Sequence, residues 1–349
     1  MAVVVMCDDG IGFDGDSLSG GPLGGAETAF VSLAEALAAR GHEVNIRNNC
    51  GAPMRRNGVD WAPLRNGVPE RCDLYIANRG DKLLKLMPDA RRTIFWIHNP
   101  AGYLLKWRYL SKLWRMRPAI VFSGAYHAKT YPRWAPCGER VVIPYGISDS
   151  FRTAVPPADL PPPRAVFTSS PLRSLDWLLD IWADRIYPEV PDAELHIFSG
   201  PSVYGEHGSA RAALMAPVLD KARALAGKGV VLRDPVPKDD LIAEFAQARV
   251  LLYRGDPGET FCLAVGEAQA AGVPCVVQDI GCVAERVIDC ETGWVADKGS
   301  FADTEFTNMA VILLGDDLEW RRFSRNAVAK QRSWGWDDAA AAFEELIPA

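Results

Sequence analysis

The sequence lacks three features that define common classes of protein. It has no run of about 18 apolar residues, so no membrane-spanning helix is expected. Its eight cysteines include no CxxC pair, a spacing that fits neither a zinc site nor a disulfide framework. Basic residues are not in excess, since 38 Lys and Arg face 44 Asp and Glu. The resulting net charge of −6 argues against a nucleic-acid-binding protein.

The beginning of the sequence also lacks the features of a signal peptide. Residues 1–10, MAVVVMCDDG, contain no basic leader, long apolar region or cleavage site, and they are typical of a first β-strand. Scattered cysteines are most simply explained as reduced thiols in a cytoplasm. The content of 48% apolar and 23% charged residues is that of a soluble globular enzyme. We therefore expect a cytoplasmic enzyme.

What the sequence does contain is a regular alternation of apolar segments and segments of helical period, which is typical of parallel sheets with crossover helices. A length of 349 residues accommodates two such α/β domains, and five prolines in residues 155–164 predict a connector. We predict Rossmann-like, doubly wound domains over 1–150 and 164–330, a linker over 151–163 and a C-terminal helix over 331–349. A cleft between the domains would bind ligands at the carboxyl ends of the strands. The predicted strands are 2–7, 43–47, 73–78, 93–98, 119–123, 140–144, 164–169, 193–199, 229–233, 249–253 and 273–278.

Two glycine clusters follow the first predicted strand. Residues 10–15 match the dinucleotide-binding pattern GxGxxG, but the motif requires a helix to begin inside it. Here it continues into DSLSGGPLGG, which is not expected to be helical. Gly24 and Gly25 instead lead directly into a predicted helix closed by Gly41. Free amides at that helix N-terminus would favour an anion, and a loop without a ligand is the alternative.

Two carboxylates stand out in the segment 255–274. Glu259 lies in a loop after a predicted strand, and Glu267 lies inside a predicted helix that runs from an N-cap at Thr260 to Ala271. The neighbours of Glu267 are small or apolar, so its carboxylate is expected to be buried and to need hydrogen-bond donors such as sugar hydroxyls. Amides at the helix N-terminus would favour a phosphate. The segment therefore predicts a site for a nucleotide-sugar.

At this point the chain resembles the retaining glycosyltransferases of family 4, in which two carboxylates form an E-x7-E motif. The resemblance covers nearly the whole chain. The segments that carry it, besides Glu259 and Glu267, are GGAE at 24–27, IHNP at 97–100, VIPYGIS at 142–148, EAQAAGVPCVV at 267–277 and AERVIDCETGWVA at 284–296. It implies the GT-B fold, with two Rossmann-like parallel-sheet domains facing a central cleft and a C-terminal helix that returns to the first domain.

The resemblance also implies roles for individual residues. Glu259 would accept hydrogen bonds from hydroxyls of the donor sugar, and Glu267 would hold the ribose hydroxyls of the nucleotide. His98 matches a cleft histidine near the donor sugar and the acceptor, although a histidine at a strand end is often only structural. The groups expected around the diphosphate are the amides of Phe261, Cys262 and Leu263 and the loop of Gly24 and Gly25.

The chain departs from the family where an Arg and Lys pair usually binds the diphosphate. Arg173 stands near the lysine position, and its guanidinium can grip phosphate oxygens. Ser169 or Ser170 stands where an arginine is common. Stabilisation of the leaving group is therefore expected to depend on fewer cations than usual.

The implied reaction is a front-face displacement with retention of configuration, in which electrostatic stabilisation of the departing diphosphate is the largest contribution. The resemblance implies a nucleotide-diphospho-sugar donor, such as a UDP- or GDP-sugar, and a saccharide, lipid-linked or other hydroxyl acceptor. It implies no cofactor, and no His and Asp cluster in the sequence suggests a metal. Two alternatives stay open, namely a non-catalytic nucleotide-sugar-binding protein and, with less support, a dinucleotide-dependent oxidoreductase.

Residues 103–117, YLLKWRYLSKLWRMR, carry five basic groups and no acid. A helical wheel places Arg108, Lys112 and Arg115 on one side and Trp107, Leu110 and Trp114 on another. An interfacial helix at the inner face of an anionic membrane would have this pattern. We favour an ordinary domain helix with its aromatic face in the core and its basic face in solvent.

Overall fold

The computed structural model describes residues 1–21, 23–157, 159–201 and 208–348, with the backbone alone for 208–210. In these ranges the strands are β1 Val3–Asp8, β2 Glu43–Asn48, β3 Met54–Arg56, β4 Val59–Pro63, β5 Leu74–Asn78, β6 Arg92–Trp96, β7 Ala119–Phe122, β8 Glu139–Val142, β9 Arg164–Phe167, β10 Glu194–Phe198, β11 Val230–Arg233, β12 Val250–Tyr253, β13 Cys275–Gln278 and β14 Gly293–Ala296. The α-helices are α1 Ser17–Gly20, α2 Gly25–Ala39, α3 Trp107–Met116, α4 Ala125–Lys129, α5 Asp149–Arg152, α6 Leu175–Ile181, α7 Tyr187–Glu189, α8 Gly208–Ala224, α9 Lys238–Phe245, α10 Leu263–Ala270, α11 Ala302–Gly315, α12 Asp317–Gln331 and α13 Trp336–Glu344.

The first compact unit comprises Met1–Gly20, Gly25–Gly146 and Trp334–Ala349. Its sheet has the order β3-β4-β2-β1-β5-β6-β7-β8, and every recorded strand pair in it is parallel except β3 with β4. Strand β1 lies in the interior of this sheet and is buried over almost its whole length. A central parallel strand is covered on both faces, which explains its continuous apolar sequence.

The second unit comprises Gly21–Gly24 and Ile147–Ser333. Its sheet has the order β11-β10-β9-β12-β13-β14, and all of its recorded pairs are parallel. In each sheet, successive strands extend from the first strand in both directions, which is the doubly wound arrangement. The predicted fold class, with two parallel-sheet α/β domains, is confirmed.

The sequence patterns missed the hairpin of β3 and β4 and the short strand β14. The two hairpin strands are joined by Asn57 and Gly58, whose φ angles of 48° and 78° are those of a type I′ turn. Strand β14 is four residues long, too short to give a clear alternation of its own. Strands β3 and β14 are the edges of their sheets and β4 is the second strand from an edge, so the central strands agree with the prediction.

Helix α13 belongs to the first unit, as predicted. Trp336 stacks on Tyr145 with ring centroids 6.0 Å apart, and Phe343 meets the edge of Trp96 at 5.3 Å. The backbone amide of Gly335 donates to Asp338 at the start of the helix, which satisfies one of the free groups there. The last residues of the chain therefore complete the core of the first unit.

An ion-pair cluster fixes the end of α13 to the residues after α2. Glu344 accepts from Arg40 Nε at 2.8 Å and Nη2 at 2.6 Å, and His42 Nε2 lies 2.6 Å from Glu344 Oε1. The hydrogen bond with Arg40, followed by that with His42, lowers the pKa of Glu344 to about 2. A lowered carboxyl pKa stabilises the folded state above its ordinary value of 4.5, and this stabilisation is lost as the pH falls towards 2.

We expect Glu344→Gln to lower the free energy of unfolding by about 1 kcal/mol at pH 7, as for a well-formed pair near the surface. The difference from the unchanged protein should shrink as the pH falls from 4.5 to about 2. Urea unfolding at several pH values measures it, with the exposed Glu345 changed to Gln as the matched control. A difference that stays constant across this range would contradict the assignment.

Across the described ranges, no helix combines the length and the apolar character needed to cross a membrane.

Candidate functional site

Glu259 lies at the carboxyl edge of the second sheet, six residues after the end of β12. Its side chain is 13% exposed and contacts two donors. Arg173, which follows β9, forms an ion pair with Oε2, and the Tyr253 hydroxyl donates to the same oxygen at 2.9 Å. Burial raises the pKa of Tyr253, so its phenol keeps the proton that it donates. The structure thus brings Glu259 and Arg173 together, and it adds a tyrosine that the sequence patterns did not indicate.

Glu267 is the second carboxylate of the spacing and lies on α10. Its side chain is only 4% exposed, as expected from its small and apolar neighbours. The donor that satisfies it is Lys238, the first residue of α9, whose Nζ lies 2.7 Å from Oε1 and 2.5 Å from Oε2. Each carboxylate oxygen can accept more than one hydrogen bond, so the pairing with Lys238 leaves capacity for ligand hydroxyls.

The predicted N-cap at Thr260 is wrong, because α10 begins at Leu263 and is preceded by Cys262. Cys262 has a φ of 63°, a left-handed conformation that is uncommon for a residue with a side chain. This turn redirects the chain from the loop of Glu259 into the helix. Phe261, Cys262 and Leu263 are all buried, and burial raises the pKa of the Cys262 thiol to about 11. A thiol with this pKa is neutral near pH 7 and is not an activated nucleophile.

Charges from both carboxylate clusters act on Cys262. After burial and a hydrogen bond with the Val265 backbone, Arg173 and Arg286 lower its pKa and Glu267 raises it. The two clusters therefore converge around the first turn of α10. Arg286 is also placed over the Phe261 ring, 4.1 Å from its centroid, and a Cβ on Gly266 would lie 2.6 Å from Arg286 Nη2. Glycine at 266 is thus required for this arginine to lie against the helix.

Arg173 is the cation that the sequence predicts near a diphosphate. Its side chain is 35% exposed, so it is held by Glu259 while still reaching solvent. Ser174, the next residue, has a φ of 61°, and its hydroxyl donates to the backbone oxygen of Gly255 at 3.1 Å. This contact ties the segment after β9 to the loop that follows β12. At Ser169, the backbone oxygen accepts from the Ser199 hydroxyl.

His98 lies in the first unit, two residues after β6, and is 7% exposed. Its Nε2 is 2.5 Å from Asn78 Oδ1, and its Nδ1 forms a hydrogen bond with the Tyr145 hydroxyl. Asn78 Nδ2 donates to Asp8, which turns the amide oxygen towards His98. Burial, followed by the charges of Arg79 and His127, lowers the pKa of His98 well below its usual value. The ring is therefore neutral, with Nε2 as donor and Nδ1 as acceptor.

A buried ion-pair cluster connects this histidine to the second glycine loop. Arg79 donates to Asp8 Oδ2 at 2.7 Å and to Glu27 Oε1 at 2.9 Å. Asp8 is fully buried and Glu27 is 8% exposed. Glu27 is the last residue of the GGAE segment and lies in the first turn of α2, which begins at Gly25, one turn before the predicted start at Ala29. The cluster therefore fixes the start of this helix against the ends of β1 and β5.

The first glycine motif, 10–15, does not begin a helix. The residues after it form the short helix α1, and Gly25 begins α2, so the expectation that 16–25 contains no helical residues is wrong at Ser17–Gly20 and at Gly25. The motif glycines are needed for close packing instead. A Cβ on Gly10 would lie 2.7 Å from Arg79 Nη2, and one on Gly12 would lie 2.9 Å from the Asn49 backbone oxygen. The motif thus packs against the buried cluster.

The residues that the sequence analysis missed come from the starts of helices and the ends of strands. Tyr253 is the last residue of β12 and Lys238 is the first residue of α9, after β11. The rule that parallel strands present their carboxyl ends at one edge could have indicated both. Within the described ranges, no group of three or more His, Cys, Asp or Glu is arranged to hold a metal ion.

Comparisons with solved structures identify the fold. The chain superposes on sucrose-phosphate synthase from Thermosynechococcus elongatus with a TM-score of 0.76 and 16% identity, over 99% of this chain and 98% of that one. The HepE protein of Anabaena, solved in complex with UDP and glucose, gives a TM-score of 0.72 at 14% identity over 99% of both chains. At this level of identity the likeness concerns the fold, which is GT-B.

Sequence comparisons find similarity to glycosyltransferases over part of the chain. A D-inositol 3-phosphate glycosyltransferase of Streptomyces scabiei is 29% identical over 201 residues, which is 50% of this chain and 42% of the relative. The chain thus spans less than half the length of this curated relative. The family model described as Glycosyl transferases group 1 matches residues 163–316, the part that holds Arg173, Lys238, Glu259 and Glu267. The part of the chain that carries these residues is therefore similar to the glycosyl transferases of group 1, and the chain has the GT-B fold.

Proposed function

We propose that the protein is a retaining glycosyltransferase that moves a sugar from a nucleotide-diphospho-sugar to a hydroxyl acceptor in the synthesis of a glycan, glycolipid or polysaccharide. The observation that carries the proposal is the pair of buried, ion-paired carboxylates Glu259 and Glu267 on either side of the first turn of α10. A buried carboxylate costs free energy unless donors satisfy it, and each one here has a partly exposed cationic partner that a ligand can reach.

In this proposal the second unit binds the donor. Arg173 turns from Glu259 to the diphosphate, and Glu259 then accepts hydrogen bonds from hydroxyls of the transferred sugar. Glu267 accepts hydrogen bonds from the ribose hydroxyls while it stays paired with Lys238. The amides of residues 261–263 complete the phosphate site, because the N-terminus of α10 favours negative charge. Gly24 and Gly25 supply further amides.

The reaction would proceed at the face from which the diphosphate leaves. The bond between the anomeric carbon and the phosphate oxygen breaks, an oxocarbenium-like centre forms, and the acceptor oxygen bonds to that carbon on the same face. The acceptor proton passes to an oxygen of the leaving nucleoside diphosphate, so charge and atoms balance. The main contribution of the protein is stabilisation of the negative charge on the leaving group, and Arg173 is its principal cation. We propose that no metal ion is required, so turnover should persist in EDTA.

We place His98 beside the reacting sugar, as a neutral hydrogen-bonding group. Its lowered pKa supports this role, because a neutral ring adds no positive charge next to an oxocarbenium-like centre. Both of its nitrogens have partners in the protein, Asn78 and Tyr145. A sugar hydroxyl would therefore bind in place of one of them, and Tyr145 is the partner that can be displaced without breaking the connection to Asp8.

A structural neighbour that was solved with UDP and glucose supports the class of donor. Curated relatives named D-inositol 3-phosphate glycosyltransferase support the proposal that a sugar is transferred. We propose a UDP- or GDP-sugar as donor and a saccharide, a lipid-linked compound or another hydroxyl compound as acceptor. A lipid-linked acceptor requires contact with a membrane surface, and residues 103–117 are the segment that we propose for it.

Thermal unfolding with added nucleotides tests donor binding. We expect UDP or GDP, at about 100 times its dissociation constant, to stabilise the protein by about 2.7 kcal/mol, whereas NAD and FAD should have no effect. Glu267→Gln should weaken the binding of the nucleotide but not the binding of inorganic phosphate, because the variant loses the contact with the ribose hydroxyls. The half-buried Glu319, paired with Arg322 on α12 and outside the candidate site, provides the control variant Glu319→Gln. No stabilisation by any nucleoside diphosphate would contradict the proposal, and an inverted anomer in the product would exclude the front-face route.

The serines at 169 and 170 favour one second candidate, a protein that binds a nucleotide-sugar without transferring it. With Arg173 as the only cation at the usual positions of the pair, leaving-group stabilisation could fall below what transfer needs. Slow hydrolysis of the donor that Glu259→Ala abolishes would support the enzyme. Tight donor binding with neither hydrolysis nor transfer to any acceptor would support the binding protein.

A further inference from the structure

Three of the eleven tryptophans are exposed to solvent, and all three lie around one groove. Trp107 is 79% exposed, Trp114 72% and Trp134 73%, whereas the other tryptophans are buried or half-buried. The groove has a volume of about 650 Å³ and is lined by all three indoles. Exposure of one large aromatic side chain is ordinary, but three on one surface indicate a binding face.

Helix α3 builds most of this face, and it has two apolar stripes. Tyr109 and Leu113, four residues apart, are buried in the core of the first unit. Trp107, Leu110 and Trp114 follow the spacing i, i+3, i+7 and form a second stripe that lines the groove. The favoured expectation of an aromatic face in the core is therefore wrong, because the core is filled by the stripe of Tyr109 and Leu113.

The surroundings of the groove are positively charged. Between Asp89 and Glu139 the sequence contains nine Lys and Arg and no acid, in a protein of net charge −6. Lys85 and Arg115 line the groove, and Lys106 and Arg133 are exposed next to Trp107 and Trp134. Asp81 is the acid that neutralises part of this charge, through Lys112 and, at 3.8 Å, Arg108. Arg91 and Arg92 pair with Asp73 and Glu139 at the start of β6, so the cations beside the tryptophans are those that line the groove or neighbour Trp107 and Trp134 in sequence.

We propose that this tryptophan face, formed by Trp107, Trp114 and Trp134 with the cations around them, docks on an anionic lipid surface. Indole rings prefer the boundary between headgroups and acyl chains, because they combine a large apolar area with one polar N–H. Lys and Arg side chains extend to anionic headgroups while their stems lie along apolar surface. An apolar protein partner would match the indoles but not the excess of positive charge. The inference rests on the proposed function in one respect, since it identifies where a lipid-linked acceptor would be reached.

Flotation with vesicles tests the docking. The unchanged protein should bind vesicles that contain 30% phosphatidylglycerol in phosphatidylcholine, and high salt should release it, as the ~10 Å screening length at 0.1 M salt requires. Pure phosphatidylcholine vesicles should bind it only weakly. Trp107→Ser, Trp114→Ser and Trp134→Ser combined should reduce binding about tenfold or more. A second variant, Lys106→Gln with Arg115→Gln, should also reduce binding while leaving every tryptophan in place.

The controls are two exposed apolar residues of the second unit, Phe301 and Leu318, which are 73% and 80% exposed. Their serine variants should bind vesicles as the unchanged protein does. The proposal would be overturned if these controls lost as much vesicle binding as the tryptophan variant, or if the unchanged protein did not bind anionic vesicles. It would also be overturned by saturable quenching of the tryptophan fluorescence by a soluble oligosaccharide in place of vesicles, or by a dimer that the triple variant disrupts.

Hydrolysis of donor sugar without vesicles separates this proposal from the proposed function. The tryptophan variants should hydrolyse the donor at the unchanged rate, because none of the three residues belongs to the carboxylate clusters. A protein that binds anionic vesicles but neither binds nor hydrolyses a nucleotide-sugar would refute the function and leave the docking face standing.

Discussion

Replacing Glu259 by Gln is expected to reduce kcat/KM for the donor about 100-fold, the loss that follows from a charged hydrogen bond at a buried site. The amide keeps the shape of the side chain but lacks the negative charge, which forms the ion pair with Arg173 and strengthens the hydrogen bond from Tyr253. Steady-state transfer or donor hydrolysis measures the loss. The free energy of unfolding should change far less, because Arg173 is 35% exposed and can be solvated.

Two further variants make this expectation specific. Tyr253→Phe removes one neutral donor from the same carboxylate, so it should cost only about fivefold. Glu291→Gln changes an exposed pair with Lys330 and should leave kcat/KM as it was. If Glu259→Gln kept more than a third of the activity, the carboxylate would have no part in binding the sugar.

The second large effect concerns the buried cluster of the first unit. Arg79→Met should lower the free energy of unfolding by about 3 to 5 kcal/mol, because it leaves the carboxylates of Asp8 and Glu27 buried without a cation. Asp8 has no exposed surface, and the Glu27 side chain is 10% exposed. Neither can recover by turning into water. Chemical unfolding followed by tryptophan fluorescence measures the change.

A control variant and a double variant test whether the loss of stability in Arg79→Met comes from the buried charges. Arg55→Met removes an exposed arginine of the same unit, whose ion pair with Asp60 spans 3.7 Å, and should have an effect below 0.5 kcal/mol, as expected for a surface pair (~0–1 kcal/mol). Adding Glu27→Gln to Arg79→Met should recover part of the loss, because one buried charge disappears. A loss below about 1 kcal/mol in Arg79→Met would mean that water reaches these carboxylates.

The central strands of both sheets could be predicted from the sequence because they are buried and mostly apolar. The hairpin of β3 and β4 also had a signal, the Asn57–Gly58 pair, which favours a two-residue turn. It was missed because charged residues interrupt the apolar pattern, namely Arg55 and Arg56 in the edge strand β3 and Asp60 in β4. Loss of the apolar pattern, rather than exposure, therefore explains the missed hairpin, since β8 was predicted although none of its residues is buried.

The two carboxylates and Arg173 were predicted as residues of the candidate site, whereas Tyr253 and Lys238 were missed, and so were the contacts that join all five. Glu259 and Glu267 belong to one segment with a recognisable spacing, whereas Tyr253, Arg173 and Lys238 reach them from three other parts of the chain. Such pairings depend on strand order, which sequence periodicity does not encode. The start of α10 at Leu263 was missed for a local reason, since nothing in a cysteine indicates a positive φ.

Helix α3 shows a further limit of sequence periodicity. A helical wheel identifies apolar stripes but does not say which of two stripes faces the core. Tyr109 and Leu113 occupy the interior, and the tryptophans are left outside. Only the packing of the helix against the sheet distinguishes these arrangements.

The position of α13 has a consequence for how the protein is made. The last strand of the first unit ends at Val142. The core around Trp96 and Tyr145 is nevertheless incomplete until Trp336 and Phe343 of α13 have been synthesised. A nascent chain therefore carries an incomplete first unit while the ribosome makes the whole of the second one. Folding from the amino end, domain by domain, is the usual order during synthesis, and here the second unit is the one that can mature first.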